Sequence, residues 1–512
     1  MMGTKGRVFA PLPPVSLAEL VPPDHFYRHL EQLLDLSFVR DLVCEAYAES
    51  GRPSIDPVVF FKLQLILFFE GVRSERQLMQ MVADRLSLRW YVGYDLTERL
   101  PDHSSLSRIR ERYGLEVFRR FFETIVVQCL EAGLVWGKEI YLDATKVAAN
   151  AALASLQPRF AVEAHLAHLF AVAGGDGDGD EESGDTDDAD GDEPVQLPIE
   201  LTETAQADLA EGAAARHDWI GRAGRPNRNA TSGTYRRTAD FRVSVTDPDA
   251  TPFPPGDGHT RLGYQDHYVV DGGRARIILA ALVAPAEVQE NQPALDLLWR
   301  ARFRWKLHPR QVTADTKYGT VENVVAIEDQ RICAYFPLSK VGQRPGIFRE
   351  QDFVYDAAAD TYRCPGEQTL RFLSHCQATR RRIYAAPAAA CAACALREQC
   401  TTAKRGRRIG RQINEVYLDR VRGYHATAPY QKAMRKRQVW VEPLFAEAKA
   451  WHGLRRFRLR GLEQVNGEAL LIAAGQNLKR LLSRRGWGQR PFPSGAAGIV
   501  LAALSPIPVL TP

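Results

Sequence analysis

Two short segments of the chain, YLDATKV at residues 141–147 and VTADTKYGT at residues 312–320, share one pattern: the alternation of a strand that ends on a single aspartate. In the first, Ile140 and Leu142 share one face while Tyr141, Asp143 and Thr145 share the other. In the second, Val312 and Ala314 face one way, Thr313 and Asp315 the other. A lone carboxylate closing a strand can serve as a cap or turn residue. Two of them delivered by separate strands form a different kind of feature, because open α/β sheets place ligand sites at the carboxyl ends of their strands. Two carboxylates brought together repel unless cations sit between them. Hard divalent cations take oxygen ligands, and a pair of metals about 4 Å apart stabilises both the attacking and the leaving oxygen of a phosphoryl transfer.

Such a site wants a third acid, and RKRQVWVEPLFAEAKAWHGLRRFRLRG at residues 435–461 supplies one. Val441, Leu444, Phe445 and Ala448 form an apolar helical stripe with Glu442 at its edge, where it can still reach the end of a sheet on which the helix packs. Glu447 lies about 140° round the helix from Glu442, so both cannot address one site. Glu442, Lys449 and Arg456 recur every seven residues and line up along one side if the helix persists past Gly453. Lys449, Arg455, Arg456, Arg458 and Arg460 crowd into twelve residues, a candidate track for phosphates. The bland alternatives are a solvated helix face and pairing with an acidic insert.

Cysteines form a second constellation. Cys391 and Cys394 have C-x2-C spacing, Cys400 follows six residues later, and Cys364 precedes them on a hairpin-like segment. Four thiolates can close a tetrahedral Zn²⁺ site. A redox pair would want a βαβ context that the segment lacks, and plain reduced cysteines are the remaining alternative. Cys44, Cys129 and Cys333 lie in apolar surroundings and read as core residues.

The elements that must position these groups are readable in outline. Residues 15–135 read as a compact helical domain: Asp56-Pro57 opens one helix, Gly71 ends it, and Ser74 with Gln77 caps the next. Its last segment puts Leu106, Ile109 and Tyr113 on one face and points Arg108, Arg110 and Arg112 elsewhere, toward phosphate or solvent. Later, RLGYQDHYVVDGGRARIILAALVAP reads as two strands around Asp271-Gly272-Gly273, followed by a helix from ENQPALDLLWRARFRW. The fold class expected is multi-domain α/β, with a core over 136–345 and 425–485, a Cys-rich insertion at 350–424 and a tail at 486–512.

The net charge is only +4, yet Asp176–Glu193 holds eleven acidic residues and no basic one, so the rest of the chain is strongly basic and suits a polyanion. The acidic insert, 173–194, cannot bury enough to fold, and it lacks the glycine of a calcium loop. The run Phe60–Phe69 is very apolar but too short to span a bilayer and contains Lys62. The N-terminal residues carry no secretory pattern, so a cytoplasmic protein with no membrane partner is expected.

YLDATKV, VTADTKYGT and VEPLFAEAKAWHGLRRFRLRG together resemble the three catalytic segments of DDE transposases of bacterial insertion sequences, most closely the insertion-sequence 1182 group. The helical domain is similar to the one that precedes the catalytic core in that family. The resemblance implies an RNase H-like core whose acids are Asp143, Asp315 and Glu442, binding Mg²⁺ or Mn²⁺, with Lys449 in the place of the family's lysine. It implies double-stranded DNA as partner, both element ends and target, and a homodimer on paired ends. Two positions depart from the pattern: Gln438 stands where related groups have arginine, beside Arg437, and Lys317 stands where glycine commonly follows the second aspartate. The competing expectations are an RNase H-like nuclease without strand transfer and a non-catalytic DNA-binding regulator derived from a transposase. The latter has no need to hold three repelling carboxylates.

Overall fold

The computed structural model describes residues 16–47, 54–158, 242–254, 259–339, 346–377 and 380–487. The acidic insert 173–194 and the tail beyond Trp487 lie outside the described residues.

Helices occupy the N-terminal part up to Glu131. Pro57–Phe69 starts as its sequence dictates: the Asp56 side chain accepts from the Val58 N–H at 2.8 Å, and proline takes a first-turn position whose N–H would have no partner. The helix His103–Glu131 is kinked at Gly114, whose φ of 62° suits glycine. The freed Leu115 N–H is caught by the Glu463 carboxylate at 2.9 Å.

The chain then enters a six-stranded mixed sheet. β1 (Glu139–Ala148) is central. Residues Leu156–Pro158 (β2) and Arg242–Ser244 (β3) pair only with each other. The sheet continues with β4 (Thr251–Phe253), β5 (Arg261–Asp271), β6 (Ile278–Pro285), β7 (Gln311–Thr313) and β8 (Cys333–Tyr335). β5 lies antiparallel to β1 and β6 antiparallel to β5; β7 joins the other side of β1 in parallel, and β8 lies parallel to β7. The β5–β6 turn falls at Asp271-Gly272-Gly273, where the Asp271 carboxylate accepts from the Gly137 and Gly273 N–H groups.

One expectation needs correction here. β1 does not stop at Asp143 but continues for five more residues, because β5 pairs with it all the way to Ala148.

Helix Leu462–Arg484 seals the sheet against the N-terminal helices. Asn466 and Asn477 bond the β6 backbone at Val283 and Ile278, and Gly475 leaves room for the Phe68 ring. The result is one continuous hydrophobic core, running from Phe61 and Phe121 through Ile140 and Val269 to Leu478. The helical part thus shares its core with the sheet rather than closing one of its own.

A second, smaller sheet is antiparallel throughout: β9 (Val354–Asp356), β10 (Thr361–Arg363), β11 (Thr369–Cys376), β12 (Arg381–Ala385) and β13 (Arg408–Gln412). It has its own core around Phe353, Tyr362 and Tyr384. The following helix, Glu415–Tyr424, returns to the main body, where Arg420 and Tyr424 bond the buried Glu328. Cys129 is buried as expected, but Cys44 is exposed, since the short turn that carries it faces outward.

Candidate active site

The parallel pairing of β1 with β7 ends on the rung Tyr141–Thr313. Asp143 and Asp315 each stand two residues beyond that rung, on the face that Tyr141 and Thr313 share. With neighbouring strands about 4.8 Å apart, equal offset from one rung puts the two carboxylates side by side. Asp315 also opens a turn, accepting from the Lys317 N–H at 2.9 Å. Asp315 thus serves as a cap and stands beside Asp143 as well.

Glu442 is the first residue of the helix Glu442–Trp451. Val441, Leu444, Phe445 and Ala448 are all buried, and Phe445 stacks on Tyr268, the β5 partner of Asp143, with ring centroids 4.4 Å apart. That packing fixes the helix over β5, the strand next to the one that carries the first acid. Arg437 completes the link: Nη1 donates to Asp143 Oδ2 at 3.1 Å and Nη2 reaches Glu442 Oε1 at 3.5 Å. Glu442 itself remains more than half exposed.

Burial pushes the Asp143 carboxyl up to about 6; the Arg437 charge and the Ala144 N–H oppose this, while the charges of Asp315 and Glu290 add to it. Glu290, a buried acid that no motif or periodicity marks, is held at 2.6 Å by Lys317 Nζ. Arg437 and Glu290 are the two members that sequence reasoning missed. The only available hint was that Arg437 lies beside Gln438, one residue from the expected arginine position.

The competing acid, Glu447, faces the other way. Burial pushes its carboxyl up, but hydrogen bonds from His452 and Lys479 and the charges of Arg480 and Lys479 outweigh burial and hold it well below the usual range. Lys479 Nζ lies at 2.5 Å, Arg480 at 3.1 Å and Gln476 at 3.3 Å.

The basic track divides. Lys449 extends from the same helix and its Nζ donates to Thr145 Oγ1 at 2.5 Å, two residues along β1 from Asp143. The helix stops at Trp451, where Gly453 adopts φ +74°, so Arg456 does not continue the seven-residue line. Instead residues 455–457 lie against the end of β1: Ala148 N–H donates to the Arg455 carbonyl and Phe457 N–H to the Ala148 carbonyl. Arg455, Arg456 and Arg460 are exposed there, with Arg456 and Arg460 also bonding the Ala149 and Asn150 carbonyls.

Arg458 is different. Its guanidinium is buried on Glu75 at 3.1 Å and on Gln64, and Glu75 also pairs with Arg110. The sequence puts Arg458 on the basic track and points Arg110 toward phosphate or solvent. The structure commits them to a buried ion cluster between the helical part and the sheet, because desolvated guanidiniums need a carboxylate partner.

Among the described residues, no group of three or more His, Cys, Asp or Glu side chains stands ready to hold a metal as it is. At the acid site a guanidinium is the cation that lies between Asp143 and Glu442. The chemistry of the donors suits a hard divalent cation: Asp143, Asp315 and Glu442 offer carboxylate oxygens, and the Asp143 carboxyl is raised by burial and by the charges of Asp315 and Glu290.

Comparison with known families gives two matches. Residues 15–112 match a transposase domain (DUF772), and residues 363–482 match a transposase DDE domain. The second match includes Glu442 and begins after Asp143 and Asp315. No curated protein and no solved structure matches the chain.

Proposed function

The chain belongs to the DDE transposases, and from that premise we propose that it binds the ends of a bacterial insertion sequence and cuts and joins DNA there through Asp143, Asp315 and Glu442. The observation that carries this reading is the equal offset of Asp143 and Asp315 from the Tyr141–Thr313 rung, with Glu442 tied to the same place through Arg437. The strand order β6-β5-β1-β7-β8, antiparallel for the first three and parallel for the last two, supports an RNase H-like core.

Mg²⁺ or Mn²⁺ held by the three carboxylates would supply the Lewis acidity and the activated oxygen nucleophile that phosphodiester chemistry needs. The chain's own residues do the rest. Lys449 is fixed by Thr145 beside Asp143, where its ammonium can hold a phosphate next to the acids. Arg455, Arg456 and Arg460 extend positive charge along the end of β1 and orient the strand being cut. Lys317 keeps Glu290 paired, so that one more carboxylate near Asp143 does not add a free negative charge. In the first reaction water attacks the phosphorus at the element end and the bond to the 3′ oxygen breaks. In the second that 3′-hydroxyl attacks target DNA, one phosphodiester bond forming as another is lost.

Asp143→Asn, Asp315→Asn and Glu442→Gln, each assayed on end DNA for cut and joined products, test the proposal. Each should lose cleavage by about a thousandfold or more while retaining DNA binding. Near-normal cleavage by any one of them removes that residue from the site, and cut ends that never join would reduce the function to a nuclease.

A further inference from the structure

The small sheet β9–β13 poses a stability problem. Its core has six buried hydrophobic residues, Phe353, Tyr362, Leu370, Tyr384, Ala386 and Ile409. Units with so little buried surface usually require a metal, a disulfide or a partner to stay folded. β11 offers little help, since most of its side chains are exposed.

At the edge of that core the four cysteines Cys364, Cys391, Cys394 and Cys400 line a single pocket, although 36 residues separate the first from the last. The backbone leaves room for the sulfurs. A Cβ at Gly366 would lie 3.1 Å from Cys394 Sγ and 3.7 Å from Cys364 Sγ, and one at Gly406, where φ is +80°, would lie 2.7 Å from Cys391 Sγ. Cys364 Sγ already accepts the Gln368 N–H at 3.2 Å, a donor suited to a thiolate. Arg397 and Arg407 line the same pocket and can balance negative charge.

We propose that Cys364, Cys391, Cys394 and Cys400 bind one Zn²⁺ ion that holds the β9–β13 insertion folded, independently of the acid site. Binding breaks four S–H bonds, forms four Zn–S bonds and releases four protons to solvent. The tetrathiolate centre carries two negative charges, which the two arginines offset. The sulfurs have only to draw inward, because the segments that carry them already converge on one pocket.

The test uses the full chain, purified without metal-affinity steps. Elemental analysis should find about one zinc per chain. After chelation, titration with Co²⁺ should produce the intense visible absorption of a tetrahedral cobalt thiolate, and Zn²⁺ should abolish it. The Cys391→Ser, Cys394→Ser double variant should lose both the zinc and the cobalt spectrum. Should that variant fail to fold, the wild-type cobalt titration decides alone. A zinc-free wild-type chain whose chelated form gives no cobalt thiolate spectrum, or two disulfides among these cysteines in the purified protein, would overturn the proposal. DNA cleavage is not read in any arm, so failure here leaves the proposed transposase activity untouched.

Discussion

Arg437 lies between two acids that are far apart in sequence, donating to Asp143 at 3.1 Å and reaching Glu442 at 3.5 Å. Its guanidinium occupies the carboxylates of the proposed metal site, so on that proposal arginine and metal compete for them. Arg437→Ala should tighten Mn²⁺ binding by about tenfold, since the pair is partly screened by solvent through the exposed Glu442. Calorimetric titration of the DNA-free protein reads this directly. Unchanged or weaker binding would show that Arg437 supports the metal site rather than opposing it.

Glu442 and Glu447 should separate cleanly by phenotype. Glu442 is exposed and bonded only weakly to Arg437, so Glu442→Gln should leave the unfolding midpoint within about 0.5 kcal/mol of the parent. Glu447 is surrounded by Lys479, Arg480, Gln476 and His452, so Glu447→Gln should cost roughly 2–4 kcal/mol by leaving the buried Arg480 guanidinium uncompensated. Urea unfolding of both variants checks the pair, and a reversed order would mean that the helix register is misassigned.

The same residue gives a pH dependence with a definite sign. The folded Glu447 carboxyl is held below its ordinary value of 4.5. Its contribution is therefore complete above that value and is lost as pH falls below it, through the folded value. Parent and Glu447→Gln should thus differ in stability at pH 7 and converge in acid. A stability gap that widens as the pH drops would contradict this linkage.

The basic residues make a graded prediction. Each phosphate contact removed should make the slope of log K against log salt shallower by about 0.9. Arg455→Gln and Arg456→Gln should do so, because both side chains are exposed beside the end of β1. Arg458→Gln should leave the slope unchanged yet destabilise the fold, because its guanidinium is buried on Glu75. A shallower slope for Arg458→Gln in a folded protein would place that side chain on the DNA after all.

Local patterns carried much of this architecture. Alternation around Asp143 and Asp315, the glycines after Asp271 and the apolar stripe from Val441 to Ala448 were legible because each is set by neighbours within one turn or one strand. What escaped were features created by distant partners. β1 outruns Asp143 because β5, more than a hundred residues later, continues to pair with it. Arg110 and Arg458 looked like surface charge, and their burial depends on Glu75, 35 and 383 residues away respectively. Glu290 opens the segment ENQPALDLLWRARFRW without any local mark of a site, and only the fold brings it and Lys317 beside Asp143. Cys44 looked apolar by its neighbours, but its turn leaves it on the surface.

The central claim is that Asp143 and Asp315 are metal ligands of one DNA-cutting site, and exchange of ligand hardness tests it most directly. A thiolate is a poor ligand for Mg²⁺ and a better one for Mn²⁺. Asp143→Cys and Asp315→Cys should each fail to cut end DNA in Mg²⁺ and regain cleavage in Mn²⁺, while a control substitution, Glu447→Gln, responds equally to both ions. Loss of activity in Mg²⁺ with no recovery in Mn²⁺, in variants that still fold and bind DNA, or full activity in Mg²⁺, would contradict the assignment.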